Sequence, residues 1–218
     1  ALLVPAALDV RAASRRAACL SSMRQLAVAV QNYEASCRYL PPGNFRAFSM
    51  YVAMLPQLDQ KPLYERVHFT RPIFPENAPV QATSLEFLLC PADATPPGSS
   101  TVAPHNFVGN DGLGLLLYPR FCGFFQPVFV HRREGGGPLR MADISDGLSH
   151  TAAFSEVRIG DGKQDSPDPL RALWNTDETV YSSEQVDHFL SDCDPLDLTG
   201  RIGNPWWLGW GWMYGQLG

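Results

Sequence analysis

The residues best equipped for chemistry in this chain are five cysteines, five histidines and two runs of aspartate. Cys19, Cys37, Cys90, Cys122 and Cys193 contain no C-x-x-C pair, so neither a zinc ribbon nor a thioredoxin-type site is indicated. That leaves free buried thiols or disulfides. If Cys19 and Cys37 share one helix they stand roughly 27 Å apart, whereas a disulfide needs Cα atoms within about 7 Å. They cannot pair with each other, and each needs a partner from later in the chain. His68, His105, His131, His150 and His188 are scattered without helical pairing, and each reads as a surface or hydrogen-bonded histidine. No G-x-S-x-G, H-E-x-x-H or P-loop is present. Asp161, Asp165 and Asp168, or Asp192, Asp194 and Asp197, are weak candidates for oxygen ligation of Ca²⁺, but their spacing is not that of an EF-hand. Solvated turns are the default for both runs. The expectation is therefore a protein that is not an enzyme and has no obligatory cofactor.

A further chemical resource is aromatic. Trp206, Leu208, Trp210, Trp212 and Tyr214 alternate with Trp207, Gly209, Gly211 and Met213. In a strand this places large rings on one face. The plain reading is a strand covering a sheet core. The functional reading is an interface or sugar-stacking platform built on Trp206, Trp210, Trp212 and Tyr214.

These groups must be positioned by a modest regular scaffold. The chain has 218 residues, with 45% hydrophobic and 18% charged, enough for one domain with a core and too little charge for disorder. Eighteen glycines and 19 prolines predict many turns. The net charge of −5 is uneven. Residues 1–46 carry Arg11, Arg15, Arg16, Arg24, Arg38 and Arg46 against Asp9 and Glu34, while the stretch after Met141 is acidic. A basic segment without aromatic stacking partners argues against nucleic acid. No run of about 20 apolar residues is present to span a membrane. The opening Ala1-Leu2-Leu3-Val4-Pro5 reads as the tail of a longer hydrophobic segment.

Residues 6–38 lack Gly and Pro and predict a helix. Cys19, Met23, Leu26, Val30, Tyr33 and Cys37 form one apolar stripe on it. It must stop before Pro41-Pro42-Gly43. Phe45–Leu58 predicts a second, shorter helix, and Leu63–Phe69 a turn or strand entry. Ser84–Leu89 predicts a short strand or helix end, and Asn106–Gly112 a strand end followed by a turn. Phe121–Val130 predicts a strand, Asp146-Gly147 a turn, and Thr151–Val157 a core strand. The expected organisation is one α+β domain: an N-terminal helix over 1–38 and a head over 39–218, with the helix packed on an antiparallel sheet among long irregular loops.

An ordered set of segments resembles one family. It begins with Leu2-Leu3-Val4-Pro5-Ala6, followed by Arg11-Ala12-Ala13-Ser14-Arg15-Arg16-Ala17-Ala18-Cys19, and continues through Leu40-Pro41-Pro42-Gly43 and Met54-Leu55-Pro56-Gln57-Leu58-Asp59. Then come Phe87-Leu88-Leu89-Cys90-Pro91-Ala92-Asp93 and Asn106-Phe107-Val108-Gly109-Asn110. Last are Met141-Ala142-Asp143-Ile144-Ser145-Asp146-Gly147 and Phe154-Ser155-Glu156. In this order they resemble the DUF1559 proteins, abundant in planctomycetes and also catalogued as solute-binding protein family 10. Members typically begin with a prepilin-type cleavage and methylation segment. The likeness covers roughly residues 1–160. The hydrophobic prepilin segment and the family's C-terminal His…Asp-Gly motif are absent here.

The resemblance implies a pilin- or pseudopilin-like protein, exported to the cell surface or held at the membrane in the periplasm. It implies a structural subunit that passes through the inner membrane and then associates with itself or with related subunits. Leu2, Leu3, Val4 and Pro5 would begin the assembly interface. The catalogue name implies the alternative of a cell-surface or periplasmic module binding a solute or carbohydrate. Cys19 and Cys90 both fall inside family-like motifs, which suggests a Cys19–Cys90 disulfide in an oxidising compartment. Cys37 would then pair with Cys122 or Cys193.

Overall fold

The computed structural model describes residues 3–45, 48–69, 75–93, 102–110, 139–160 and 211–213. Its dominant element is α1, Leu3–Cys37, a helix of 35 residues and so about 52 Å long. Ala is its commonest residue, with Arg and Leu well represented, residues that lose little or no rotamer freedom in a helix. Pro5 falls in the first turn, where its missing N–H costs no intrahelical bond. The helix ends where Arg38 turns left-handed at φ 68°, its N–H donating to the Glu34 carbonyl at 2.7 Å. Glycine ordinarily fills such a position.

After the Leu40-Pro41-Pro42 turn, β1 (Asn44–Phe45) and β2 (Phe48–Ser49) pair antiparallel, with Phe45 opposite Phe48. Helix α2 (Met50–Met54) follows and passes directly into a 3₁₀ turn over Leu55–Leu58. Asp59 closes that turn at φ 58°. Next come α3 (Lys61–Tyr64), α4 (Ala78–Gln81) and a 3₁₀ turn at Glu86–Leu88. The second ladder pairs β3 (Phe107–Gly109) with β4 (Phe154–Glu156), Val108 lying opposite Ser155.

The architecture is α+β, with a long N-terminal helix and short antiparallel ladders, as the sequence predicts. Several local expectations are corrected. Phe45–Leu58 is not one helix, because the two phenylalanines favour a hairpin and Pro56 cannot supply a helical donor. Leu63–Phe69 opens inside α3 and then makes the expected turn at Glu65–Arg66, while Ser84–Leu89 holds a 3₁₀ turn. Thr151–Val157 contributes only a three-residue strand, with Ser155 and Glu156 exposed, so it is not a core strand. The expected strand at Phe121–Val130 lies outside the described residues.

The stripe of α1 rests chiefly on the Leu55–Leu58 turn, on α2 and on the Glu86–Leu88 turn. Leu26, Met54, Leu55, Leu88 and Phe107 are completely buried, with Ala29, Val30 and Phe48 close behind. Burying a Leu or Met side chain of this kind contributes about 2 kcal/mol. The end of the chain closes this core from a distance. Trp212 is fully buried, and its indole N–H donates to the Thr83 carbonyl at 2.9 Å. Ser49 is tied to the same segment, its hydroxyl donating to the Trp212 carbonyl at 2.6 Å and its N–H to that of Met213 at 3.0 Å.

Candidate functional site

Two regions of the surface stand out among the described residues: the exposed length of α1, and a cleft beside its C-terminal end. A covalent and polar joint holds the two in one frame.

At the joint, Cys19 and Cys90 form a disulfide, with Cα atoms 5.1 Å apart across a sequence separation of 71. Both residues are buried. Cys90 is held by Asn106, which is itself only 1% exposed. The Asn106 side-chain oxygen accepts the Cys90 N–H at 2.8 Å. Its amide donates to Asp93 Oδ2 at 2.7 Å and to the Val157 carbonyl at 2.9 Å. Asp93 Oδ2 also accepts the Ile159 N–H at 2.9 Å. A buried amide satisfied on every side fixes one arrangement of three chain segments. The Cys90–Asp93 and Asn106–Asn110 segments are thus structural devices that seat the disulfide. Asn110 adds to them, its amide donating to the Ala152 carbonyl at 2.8 Å. Cys19, Cys90 and Glu156 are the one group of acids and cysteines close enough to share a metal among the described residues. The disulfide consumes both thiolates, so they do not hold one.

Beyond the joint, α1 leaves the head. From Ala7 to Ala18 every residue is exposed except the half-buried Ala12. Leu8 is 58% exposed and Val10 68%. The sequence predicts one stripe on this helix, and the structure contains a second. At about 100° per residue, Val10, Ala13, Ala17 and Leu20 fall on a second face, turned roughly 140° from that of Cys19, Leu26 and Val30. All four are exposed, and Val28, 53% exposed, extends the line past Arg24. The spacing i, i+3, i+7, i+10 is the seam of helix packing. Arginines interleaved between the small residues hide it in the sequence. Leu3, Val4 and Pro5 of the expected interface form the first turn of α1, while Leu2 lies outside the described residues.

The cleft is bounded by the end of α1, the Tyr39–Pro42 turn, the β1–β2 hairpin and the Leu55–Leu58 turn. It encloses about 600 Å³. Rings dominate its wall, among them Tyr33, Phe45, Phe48, Tyr64 and Phe69, with Pro41, Pro42 and Pro56. Phe69 packs against Phe48 and Tyr64 with centroids 5.4 and 5.2 Å away. Among the described residues, no Asp, Glu, Lys, Arg or His lines it. Burial, helped by the neighbouring Cys37, pushes the Tyr33 phenol up to about 12. Cys37 carries a free, exposed thiol at the rim, which corrects the expected pairing with Cys122 or Cys193. Gln57 also lines the cleft, and its Oε1 is buried without a hydrogen-bond partner.

The remaining candidates separate. Trp212 is a core anchor in a turn, so its ring is not part of an exposed stripe; Trp206, Trp210 and Tyr214 lie outside the described residues. Asp161, Asp165, Asp168, Asp192, Asp194 and Asp197 also lie outside them, as do His131 and His188. His105 keeps some exposed surface, but its ring is packed edge-on against Tyr51, and burial lowers its pKa to about 4. Its Nδ1 carries a proton to the Phe107 carbonyl at 2.6 Å, the same oxygen that accepts the Tyr51 hydroxyl. It is a structural histidine. In the Met141–Gly147 segment, Asp143 pairs with Arg140 in a reciprocal cap, which lowers its pKa. Gly147 then turns at φ 82°, as its place after Asp146 predicts.

No curated protein matches the chain, and no solved structure does. One family does: the profile described as "Protein of unknown function (DUF1559)" matches residues 9–216. That span takes in the exposed helix, the disulfide joint and the buried tryptophan turn alike, and the chain belongs to the DUF1559 family.

Proposed function

We propose that this protein is a structural subunit of an exported, pilus- or pseudopilus-like surface assembly, and that its copies associate through α1. The observation that carries the reading is the two-faced helix. One face is fastened into the head by Cys19, Leu26 and Val30, while a second face presents Val10, Ala13, Ala17 and Leu20 to solvent. A lone helix in water gains nothing from such a face, and a bundle of like helices buries it. Small side chains let helix backbones approach closely, and the longer Val and Leu fill the gaps. The exposed Arg16 flanks the stripe and would meet acidic surface of neighbouring heads, a weaker and salt-sensitive contribution. The partners are further copies or related subunits, with the inner membrane as the station before assembly. The role requires no catalysed reaction and no cofactor.

The test uses the protein isolated from producing cells with its native N-terminal region. Val10→Glu with Leu20→Glu should leave the thermal unfolding of the head unchanged and convert sedimenting polymer to slow-sedimenting monomer. Wild-type protein that sediments as a monomer, and shows no filaments by electron microscopy, would remove the proposal.

A further inference from the structure

We propose that the cleft beside the end of α1 is a binding site for a small, uncharged ring compound that carries a hydrogen-bond donor. This goes beyond the assembly role and is independent of it, because every described lining residue belongs to the head or to the C-terminal end of α1.

The volume, about 600 Å³, falls in the range of small-molecule sites, roughly 300–1,000 Å³. The wall determines the class of ligand. Rings and prolines favour flat apolar bodies that stack or meet edges. Among the described lining residues, no acidic or basic side chain offers a charged ligand a counter-ion, and burying a charge unpaired is costly. A free sugar fits poorly for a related reason. It brings many hydroxyls, and the wall has few polar groups left to receive them. The Ser49 hydroxyl directs its proton to the Trp212 carbonyl and Tyr33 is engaged with Cys37, which leaves Tyr39, Tyr64 and Gln57 as the other side chains of the described lining with a hydroxyl or amide.

Of these, Gln57 is the one with a buried unpaired atom. Its Oε1 is buried and accepts no hydrogen bond. Such a group is destabilising until a donor reaches it. The terminal torsion of a glutamine is soft and roughly twofold, and Gln57 is only partly buried. A turn of the amide carries the acceptor to the cleft side, where a ligand N–H or O–H can pair with it. An apolar body thus supplies affinity, and one donor supplies selection.

Cys37 provides the readout, since its free thiol stands exposed at the rim. The experiment measures the rate of Cys37 alkylation by iodoacetamide in the full chain, with its disulfide intact, against increasing indole, 1-methylindole or glucose. Indole and 1-methylindole share a ring body, but only indole has the N–H. The expected result is that indole protects Cys37, with 1-methylindole about tenfold weaker, the factor for one lost hydrogen bond. In Gln57→Met the two should protect equally. That variant should also unfold at a slightly higher temperature, because it removes an unpaired acceptor, so misfolding would be detected directly. Equal protection by both indoles in the wild type would overturn the role of Gln57. Protection by glucose alone would overturn the ligand class, and protection by none of the three would overturn the site.

Discussion

The two halves of α1 have the same helical geometry and opposite circumstances. Residues 19–33 are bolted to the head by a disulfide and by buried Leu26, Ala29 and Val30. Residues 7–18 have almost no contact with it. Both segments are rich in good helix formers, so propensity alone does not tell them apart. An isolated helix of about a dozen residues is marginal in water, and here the packed half serves as a ready-made nucleus for the free half. The lesson is that one sequence pattern, helical throughout, encodes an anchor and a projecting arm, and burial rather than propensity divides them.

The largest effect should come from cutting the bolt. Cys19→Ser together with Cys90→Ser should lower stability by about 4 kcal/mol, the loop-entropy value for a crosslink of this span. Chemical denaturation under non-reducing conditions measures it. A loss confined to a few tenths would mean that the apolar stripe alone holds α1.

The packed half and the free half are compared directly by deleting one leucine from each. Leu26→Ala should cost about 3 kcal/mol, because it opens a cavity in a fully buried site. Leu8→Ala, at a side chain 58% exposed, should change stability by less than about 0.5 kcal/mol. Equal effects would erase the distinction between anchor and arm.

Acid provides a third probe, since it acts on the head core and not on the arm. His105 is held neutral, with a folded pKa of about 4 against an ordinary value near 6.5. The unfolded chain therefore takes up this proton first as pH falls. The contribution is whole above pH 6.5, declines by about 1.4 kcal/mol per pH unit towards pH 4, and is constant below that. The total is about 3 kcal/mol. Denaturation at pH 7 and pH 5 should show the decline in wild type and not in His105→Gln. A similar slope in both would assign it to other groups.

The smallest effect concerns the helix end. Arg38 is left-handed at φ 68°, a conformation that costs a residue with a side chain about 1 kcal/mol. Arg38→Gly should raise stability by about 0.5 kcal/mol after the entropy of a new glycine is deducted. A lowered melting temperature would show that the Arg38 side chain does more than end the helix.

Much of this was legible in the residues. The long helix followed from an uninterrupted stretch of helix formers, and its inner stripe from Cys19, Leu26 and Val30. The Cys19–Cys90 disulfide came from the family resemblance, since spacing excluded only the Cys19–Cys37 pair. The hairpin at Phe45–Phe48 was not legible, because a two-residue ladder carries too little alternation to outweigh a helical pattern. Trp212 shows why a local pattern misleads. Alternating rings can face solvent or core, and only the distant partners Thr83 and Ser49 decide between them. The outer stripe of α1 and the cleft escaped for the same reason: each is defined by what lies, or fails to lie, opposite it in space.

The central claim is that the outer face of α1 meets other copies. A photo-crosslinking amino acid placed at Ala17, activated in living producer cells, tests it most directly. The account predicts a ladder of crosslinked multimers joined between α1 segments of two chains, lost when Val10 and Leu20 are changed to glutamate, and no ladder from the same probe at the exposed head residue Glu65. A protein that stays monomeric with the probe at Ala17, while still exported and folded, would contradict it.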